Sequence, residues 1–414
     1  MKLVLKLKLL TNKHTDGLLR QTAQAYQSAC NALSQIAFEN QTFSPYALHP
    51  LAYYPVKAEF DLPSQLVIRA IAEVCNSYKS LIAQIAEHNR SCQPDQRREL
   101  ERIHFQPNLA VPYDPRVMLL DVQKHRVSLR TLSCRVWFGF QVGEKRQHLL
   151  QYAKGQADLK RYGKEWFLFQ TLEVPEADPV ATTNHIGVDV GICTVASSTD
   201  GKQTLRFPGE QIRRVRSHHH QLRRGLQRHN SRSSRRRVRT LRDKESRTVR
   251  TYNHLVSRRI VQQAQRTNST KSSEGKEDLG CTEGASMIVL EALEGIRAGV
   301  KVHRSQRRER FSWAYAQLQQ FIVYKAKLAG IPVLFVPPAY TSKTCSKCHH
   351  MSVRNRPTQA WFKCVHCGFC GHADDNAALN IRFLGAESTC HKRTVWMQEY
   401  LQTDRRKPLR FSQG

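Results

Sequence analysis

Four cysteines, Cys345, Cys348, Cys364 and Cys367, stand as two C-x-x-C pairs beside turn residues. That spacing offers four thiolates to one tetrahedral zinc ion. Directly behind them, His372-Ala-Asp374-Asp-Asn376 opens a stretch whose apolar residues Ala377, Ala378, Ile381 and Leu384 recur at helical spacing. A knuckle that hands a carboxylate to a helix start suits metal-assisted chemistry, so Asp374 reads as one member of a metal-binding carboxylate set. Two upstream acids share its character. Asp189 lies inside the apolar run His185-Ile-Gly-Val-Asp-Val-Gly-Ile, and Glu291 closes Ser286-Met-Ile-Val-Leu-Glu. A charge in an apolar strand is costly unless it is paired or metal-bound. Three converging acids would repel one another unless divalent cations filled the gap, and Mg2+ takes oxygen ligands while keeping several waters. Two Mg2+ ions about 4 Å apart would clamp the attacking water and the leaving 3′ oxygen of a phosphodiester. Glu294 and Asp375 are local competitors and read as surface residues or as supports of the ligands. Cys370 trails the second pair at irregular spacing and reads as outside the zinc set.

Composition narrows the partner. The 414 residues carry 65 Lys plus Arg against 34 Asp plus Glu, a formal net charge of +31. An excess that large repels itself in a compact fold unless a polyanion shares the surface, and nucleic acid is the natural one. From 213 to 250 there are fourteen Arg and one Lys against two acids. This stretch reads as a polar helical hairpin whose Arg213, Arg214, Arg223, Arg224, Arg235, Arg236 and Arg237 contact phosphate without reading sequence. The His218-His-His220 run within it reads as solvent-facing. No run approaches 18 apolar residues, and the seven other cysteines are scattered singly, so the expectation is a soluble, cytoplasmic protein in a reducing compartment.

The elements that must position these residues follow from periodicity. Residues 2–9 alternate Lys and Leu as a half-buried strand does. Helical spacing follows from about 15 to 37 and again from 66 to 85, with a Pro-, Tyr- and His-containing loop at 42–62 between them. Strands return at 126–130, 134–142 and 165–174, rich in aromatic and branched residues. Beyond a Pro-bounded linker at 175–179 come strand, strand, turn and the basic helices. A Ser-, Gly- and Lys-rich stretch at 267–284 reads as a disordered loop. Then come the Glu291 strand, a helix from about 306 to 329, and a strand from 331. The order β-β-β-α-β-α-β-α is that of the ribonuclease H-like fold, in which such acids converge at one sheet edge.

The motifs IGVDVGICTVASSTDG, SMIVLEALEGI, YTSKTCSKC with FKCVHCG, and HADDNAALNI together resemble the RuvC-type nuclease of the TnpB family and of the related compact type V CRISPR effectors. The resemblance covers roughly residues 185–385. It implies an α+β multidomain protein with a RuvC-like nuclease domain at 183–385, a zinc ribbon inserted at 341–370, and a basic, disordered tail at 386–414. It further implies a wedge β-barrel at 1–12 and 113–178 with a helical recognition domain inserted at 13–112. Asp189 would be the ligand shared by two Mg2+ ions, with Glu291 and Asp374 as the second and third ligands. The four cysteines would hold one structural Zn2+, and Asn376 would be a supporting residue. The implied activity is guide-RNA-directed cleavage of double-stranded DNA beside a short adjacent motif, in a bacterial protein that joins the nucleoid when bound. Two other functions remain open on sequence: a guided DNA-binding repressor that does not cut, and an RNA-independent transposase or resolvase.

Overall fold

The computed structural model describes residues 1–180, 182, 184–191, 193–241, 244–266, 286–293 and 315–389. It divides into two units, Met1–Pro175 and Glu176–Gly414. Among the described residues no helix is long and apolar enough to cross a membrane. Glu294, the loop at 267–284, the first part of the expected 306–329 helix and the tail beyond 389 lie outside the described residues.

In the first unit, β1 (Lys2–Leu9) buries Leu5, Leu7 and Leu9 and turns most of its lysines outward. It is the central strand of seven. β2 (Val111–Tyr113), β3 (Met118–Asp121), β4 (Arg126–Arg130), β5 (Arg135–Gln141), β6 (Ala153–Tyr162) and β7 (Glu165–Glu173) complete an antiparallel sheet in the order β2-β6-β7-β1-β5-β4-β3. Three helices, α1 (Lys13–Glu39), α2 (Pro45–Phe60) and α3 (Ser64–Ser91), lie between β1 and β2 in the chain. Asn12 and Thr15 open α1 with reciprocal backbone–side-chain hydrogen bonds of 2.8 and 3.0 Å, a capping box.

The expected loop at 42–62 is corrected here: most of it is α2. Two interior prolines, Pro50 and Pro55, hide the helix from sequence reading because each costs about 3 kcal/mol of helix propensity. Both face solvent, while Leu48, Ala52 and Val56 repeat every four residues and are fully buried. Packing outweighs propensity.

The second unit is built on a five-stranded sheet in the order β10-β9-β8-β11-β12. β8 (His185–Asp189), β9 (Thr194–Thr199) and β10 (Thr204–Pro208) form an antiparallel meander. The basic region forms a hairpin of α4 (Glu210–His229) and α5 (Arg232–Leu241), and its last residues begin a longer helix, α6 (Lys244–Arg266). β11 (Met287–Glu291) then runs parallel to β8, and after α7 (Tyr315–Leu328), β12 (Val333–Val336) runs parallel to β11. A two-stranded ribbon, β13 (Trp361–Lys363) with β14 (Cys370–His372), leads directly into α8 (Ala373–Thr389). The helix carries on through the first residues of the expected 386–414 tail.

The two faces of this sheet differ. Ile186, Val188, Ile288 and Leu290 point to one side and pack with Val256, Ile260, Leu318 and Ile322 of α6 and α7. The alternate residues, Gly187 and Asp189 on β8 and Val289 and Glu291 on β11, point to the other side. There α8 crosses at very close range. A Cβ at Gly187 would fall 2.0 Å from the Ala378 carbonyl oxygen, and one at Gly385 would fall 2.3 Å from Val289 Cγ2. Neither contact can be relieved by a flexible side chain, since one partner is helix backbone and the other a branched residue in the sheet.

Gly187→Ala is therefore predicted to push α8 off the sheet and destabilise the unit by about 1–3 kcal/mol or more. Thermal unfolding of the variant checks this, and a midpoint equal to wild type would contradict the contact.

Candidate active site and cysteine knuckle

The register of β8 against β11 pairs Leu290 with Val188, which sets Glu291 level with Asp189 on the neighbouring strand. Parallel strands lie about 4.8 Å apart, and residues at one level share a face. Two acids far apart in sequence thus become neighbours at the carboxyl ends of adjacent strands. Asp374 enters from the first turn of α8, the helix laid over that same face. Glu291 and Asp374 are each 8% exposed, while Asp189 is half-buried.

Electrostatics records the crowding. Burial first, then the negative charges of Glu291 and Asp374, raise the Asp189 carboxyl well above its ordinary range, opposed by the nearby Arg356 guanidinium. Burial also raises Glu291, opposed by a hydrogen bond from Thr341.

Three supporting residues had no sequence signal. Arg356 donates from Nη2 to Asp374 Oδ1 at 3.2 Å, so a cation from the ribbon stands among the acids. Thr341 Oγ1 donates to Glu291 Oε1 at 2.6 Å. Asn380, one turn beyond Asn376 on α8, donates from Nδ2 to the carbonyls of Thr341 and Thr344 at 2.8 and 2.7 Å. Asn376 was singled out in the sequence; its Nδ2 donates to Thr344 O at 2.7 Å and its Oδ1 accepts the Ser346 N–H at 2.9 Å. The helix that brings Asp374 therefore also clamps the turn that supplies Thr341 to Glu291. Asp375 is taken by other partners, accepting from Ser197 Oγ at 2.7 Å and pairing with Arg206 at 3.1 Å, which ties α8 to β9 and β10.

The four thiols converge. Their sulfurs all lie within 4.8 Å of one another, the only group of three or more metal-binding side chains so close among the described residues. Cys345 Sγ lies 3.7 Å from Cys367 Sγ, and Cys348 Sγ 3.6 Å from Cys364 Sγ. Those separations are far beyond a disulfide bond. They match the edge of a tetrahedron of roughly 3.8 Å that Zn–S bonds of about 2.3 Å generate, so the residues fit a zinc ion. The Phe369 N–H beside Cys367 lowers its thiol to about 7, while burial raises those of Cys345 and Cys348, so Cys367 ionises more readily than those two. Cys370 is exposed, outside the cluster, with its sulfur turned to the Gly368 carbonyl. Asn355, fully buried, donates to the carbonyls of Lys343 and His350 and accepts the Val365 N–H, joining the two knuckles.

Of the seven arginines expected at phosphate, Arg213, Arg214, Arg224, Arg235, Arg236 and Arg237 are exposed on α4 and α5. Arg223 is half-buried and ion-paired with Glu245, and Arg214 pairs with Glu210. The His218–His220 run is corrected at its centre. His218 and His220 face solvent, but His219 is 7% exposed on the inner side of α4.

Residues 169–271 match a family model described as "Probable transposase", and residues 315–381 match one described as "Cas12f1-like, TNB domain". The chain is 39% identical over 145 residues to the CRISPR-associated endodeoxyribonuclease Cas12f1 of Sulfoacidibacillus thermotolerans, covering 35% of this chain and 29% of that protein. It is 24% identical over 339 residues to the "Putative RNA-guided DNA endonuclease InsQ" of Escherichia coli, covering 78% and 75% of the two chains. A TnpB-like protein of Aquifex aeolicus is 34% identical over 104 residues, or 25% of this chain and 34% of that one. The chain thus aligns with well under half the length of the Cas12f1 and Aquifex relatives. Among solved structures, Cas12f1 in a complex with guide RNA and target DNA superposes with a TM-score of 0.52 at 16% identity, covering 90% of this chain and 83% of that one.

Two outcomes follow. Asp189 and Glu291 have ordinary values of 3.8 and 4.5, and both are raised in the folded chain. Each binds its proton more tightly folded than unfolded, so its contribution is present below about pH 4 and is lost as pH rises through the folded value. Without added divalent cations, the thermal midpoint should fall as pH climbs from 4 towards neutrality, and Asp189→Asn should flatten that fall; calorimetry at several pH values would detect a profile unaffected by the substitution. Separately, metal analysis of the purified protein should find one zinc per chain, with Cys345→Ser losing it and lowering the melting temperature. A zinc-free protein of undiminished stability would remove the knuckle assignment.

Proposed function

We propose that this chain, a relative of TnpB-like proteins and of the Cas12f1 nucleases, is an RNA-guided endonuclease that cuts double-stranded DNA beside a short adjacent motif through a RuvC-like, ribonuclease H-type site. The observation that carries the reading is the meeting of Asp189 and Glu291 at one level of the sheet beneath the helix that bears Asp374. Buried acids so placed favour cations in their midst. Bound Mg2+ would stabilise the attacking water and the leaving 3′ oxygen of the phosphodiester.

The chain's own residues perform the rest. Asp189 feels the charges of both other acids and is the natural shared ligand. Thr341 fixes one Glu291 oxygen, leaving the other to coordinate. Arg356 pairs with Asp374 and would be placed to turn its guanidinium to the phosphate were cations to neutralise that acid instead. The exposed arginines of α4 and α5 hold phosphate backbone without reading sequence, while pairing with a guide RNA selects the target. The first unit, a seven-stranded antiparallel sheet with three helices inserted after its first strand, would supply the wedge and recognition parts.

A plasmid matched to the guide RNA that copurifies with the protein tests this. Wild-type protein should linearise it in Mg2+, and Asp189→Ala should lose activity by on the order of 10^3-fold or more. Thr341→Val should lose about 10–100-fold, as supports of metal ligands do, and Thr341→Ser should recover most of it. Cleavage by Asp189→Ala at the wild-type rate would reject the assignment. Tight guided binding with no cleavage would make the chain a repressor, and absence of bound RNA would leave a transposase-type protein.

A further inference from the structure

A cavity of about 700 Å3 opens among the β9–β10 turn, α6 and α8, within the size range of small-molecule sites. It lies at the opposite end of β8 from the acids. Asn184 lines it just before β8 begins, five residues or roughly 16 Å from Asp189 along an extended strand. Arg382 lines it from α8, eight residues or roughly 12 Å of helix beyond Asp374.

Its chemistry is that of an anion site. Five cations, Lys202, Arg206, Arg259, Arg266 and Arg382, face one acid, Asp200. The Asp200 carboxylate is already taken by the backbone N–H groups of Lys202 and Gln203, at 2.8 and 2.6 Å, and Arg206 is held by Asp375. Among the described residues, no carboxylate pairs with Lys202, Arg259 or Arg382. Gly201, at φ +92, allows the Arg382 guanidinium to come within 3.0 Å of where a Cβ would stand. Arg382 Nε donates to His185 O at 3.0 Å, leaving the terminal nitrogens for a ligand. Phe207 and the half-exposed Leu255 add an apolar wall on which a base can stack. The Gln262 amide, which both donates and accepts, also lines the space and complements a 2′-hydroxyl, the group that marks RNA.

We infer that this pocket grips the phosphodiester backbone of a single-stranded RNA segment and holds it out of reach of the acids. The inference rests on the reading of the chain as an RNA-guided protein and adds to it the place where a strand is kept rather than cut. The test is fluorescence anisotropy of the full-length protein with a short single-stranded RNA and with DNA of the same sequence, from about 50 to 200 mM salt. Lys202→Gln with Arg259→Gln should weaken RNA binding about tenfold and make the salt slope shallower by about 1.4, at about 0.7 per lost phosphate contact. Lys202→Arg with Arg259→Lys should bind as wild type does, and Gln262→Ala should lower the preference for RNA over DNA. An unchanged slope, or equal losses for RNA and DNA, would overturn the inference. A wild type that fails to cut guided DNA yet shows this RNA contrast would reject the nuclease reading and leave the pocket standing.

Discussion

Contact between a helix and the backbone of the strand beneath it governs the geometry of the second unit. Helices usually rest on sheets through a layer of side chains about 10 Å thick, as packed layers do. Here Gly187 and Gly385 remove that layer at two points, one on the strand and one on the helix. α8 consequently lies low enough for an acid from its first turn to join acids at the strand ends. A bulkier residue at either point would lift Asp374 away from its partners without touching any of the three carboxylates. Gly187, two residues before Asp189 in β8, thus has a steric origin, distinct from the turn-forming role glycine usually plays.

The acids sit in a frame of directed hydrogen bonds. Glu291 is held from the ribbon by Thr341 and through its backbone carbonyl by Gln319 of α7. α8 is anchored on one flank by Asp375 to β9 and β10, and on the other by Asn376 and Asn380 to the turn before the first cysteine pair. Every strand or helix that supplies an acid is therefore tied to at least one that does not. Fixing carboxylates this way keeps them close despite their mutual repulsion.

Much of the second unit was legible from sequence because its signals were local. Two C-x-x-C pairs, an acid in an apolar strand and a helical period after Asp374 each declare themselves within ten residues. The order of strands and helices followed from periodicity. What could not be read depended on distant contacts. Thr341 and Arg356 look like ordinary turn residues until the fold sets them against Glu291 and Asp374. Asp375, adjacent to Asp374, differs from it only in which way a helix turns it. His219 is buried between two exposed histidines because the inner face of α4 passes through it. In the first unit, α2 escaped notice because Pro50 and Pro55 argue against a helix locally while Leu48, Ala52 and Val56 decide for one through packing.

The asparagine clamp has a corollary for how this protein can vary. Asn376 and Asn380 address the ribbon turn through its peptide groups, the carbonyls of Thr341 and Thr344 and the N–H of Ser346. A grip on main chain is indifferent to side-chain identity. Positions 342, 343, 346 and 347 are thereby released to diversify, so that relatives could recolour the outer surface of the knuckle for new partners while the three acids behind it stayed still.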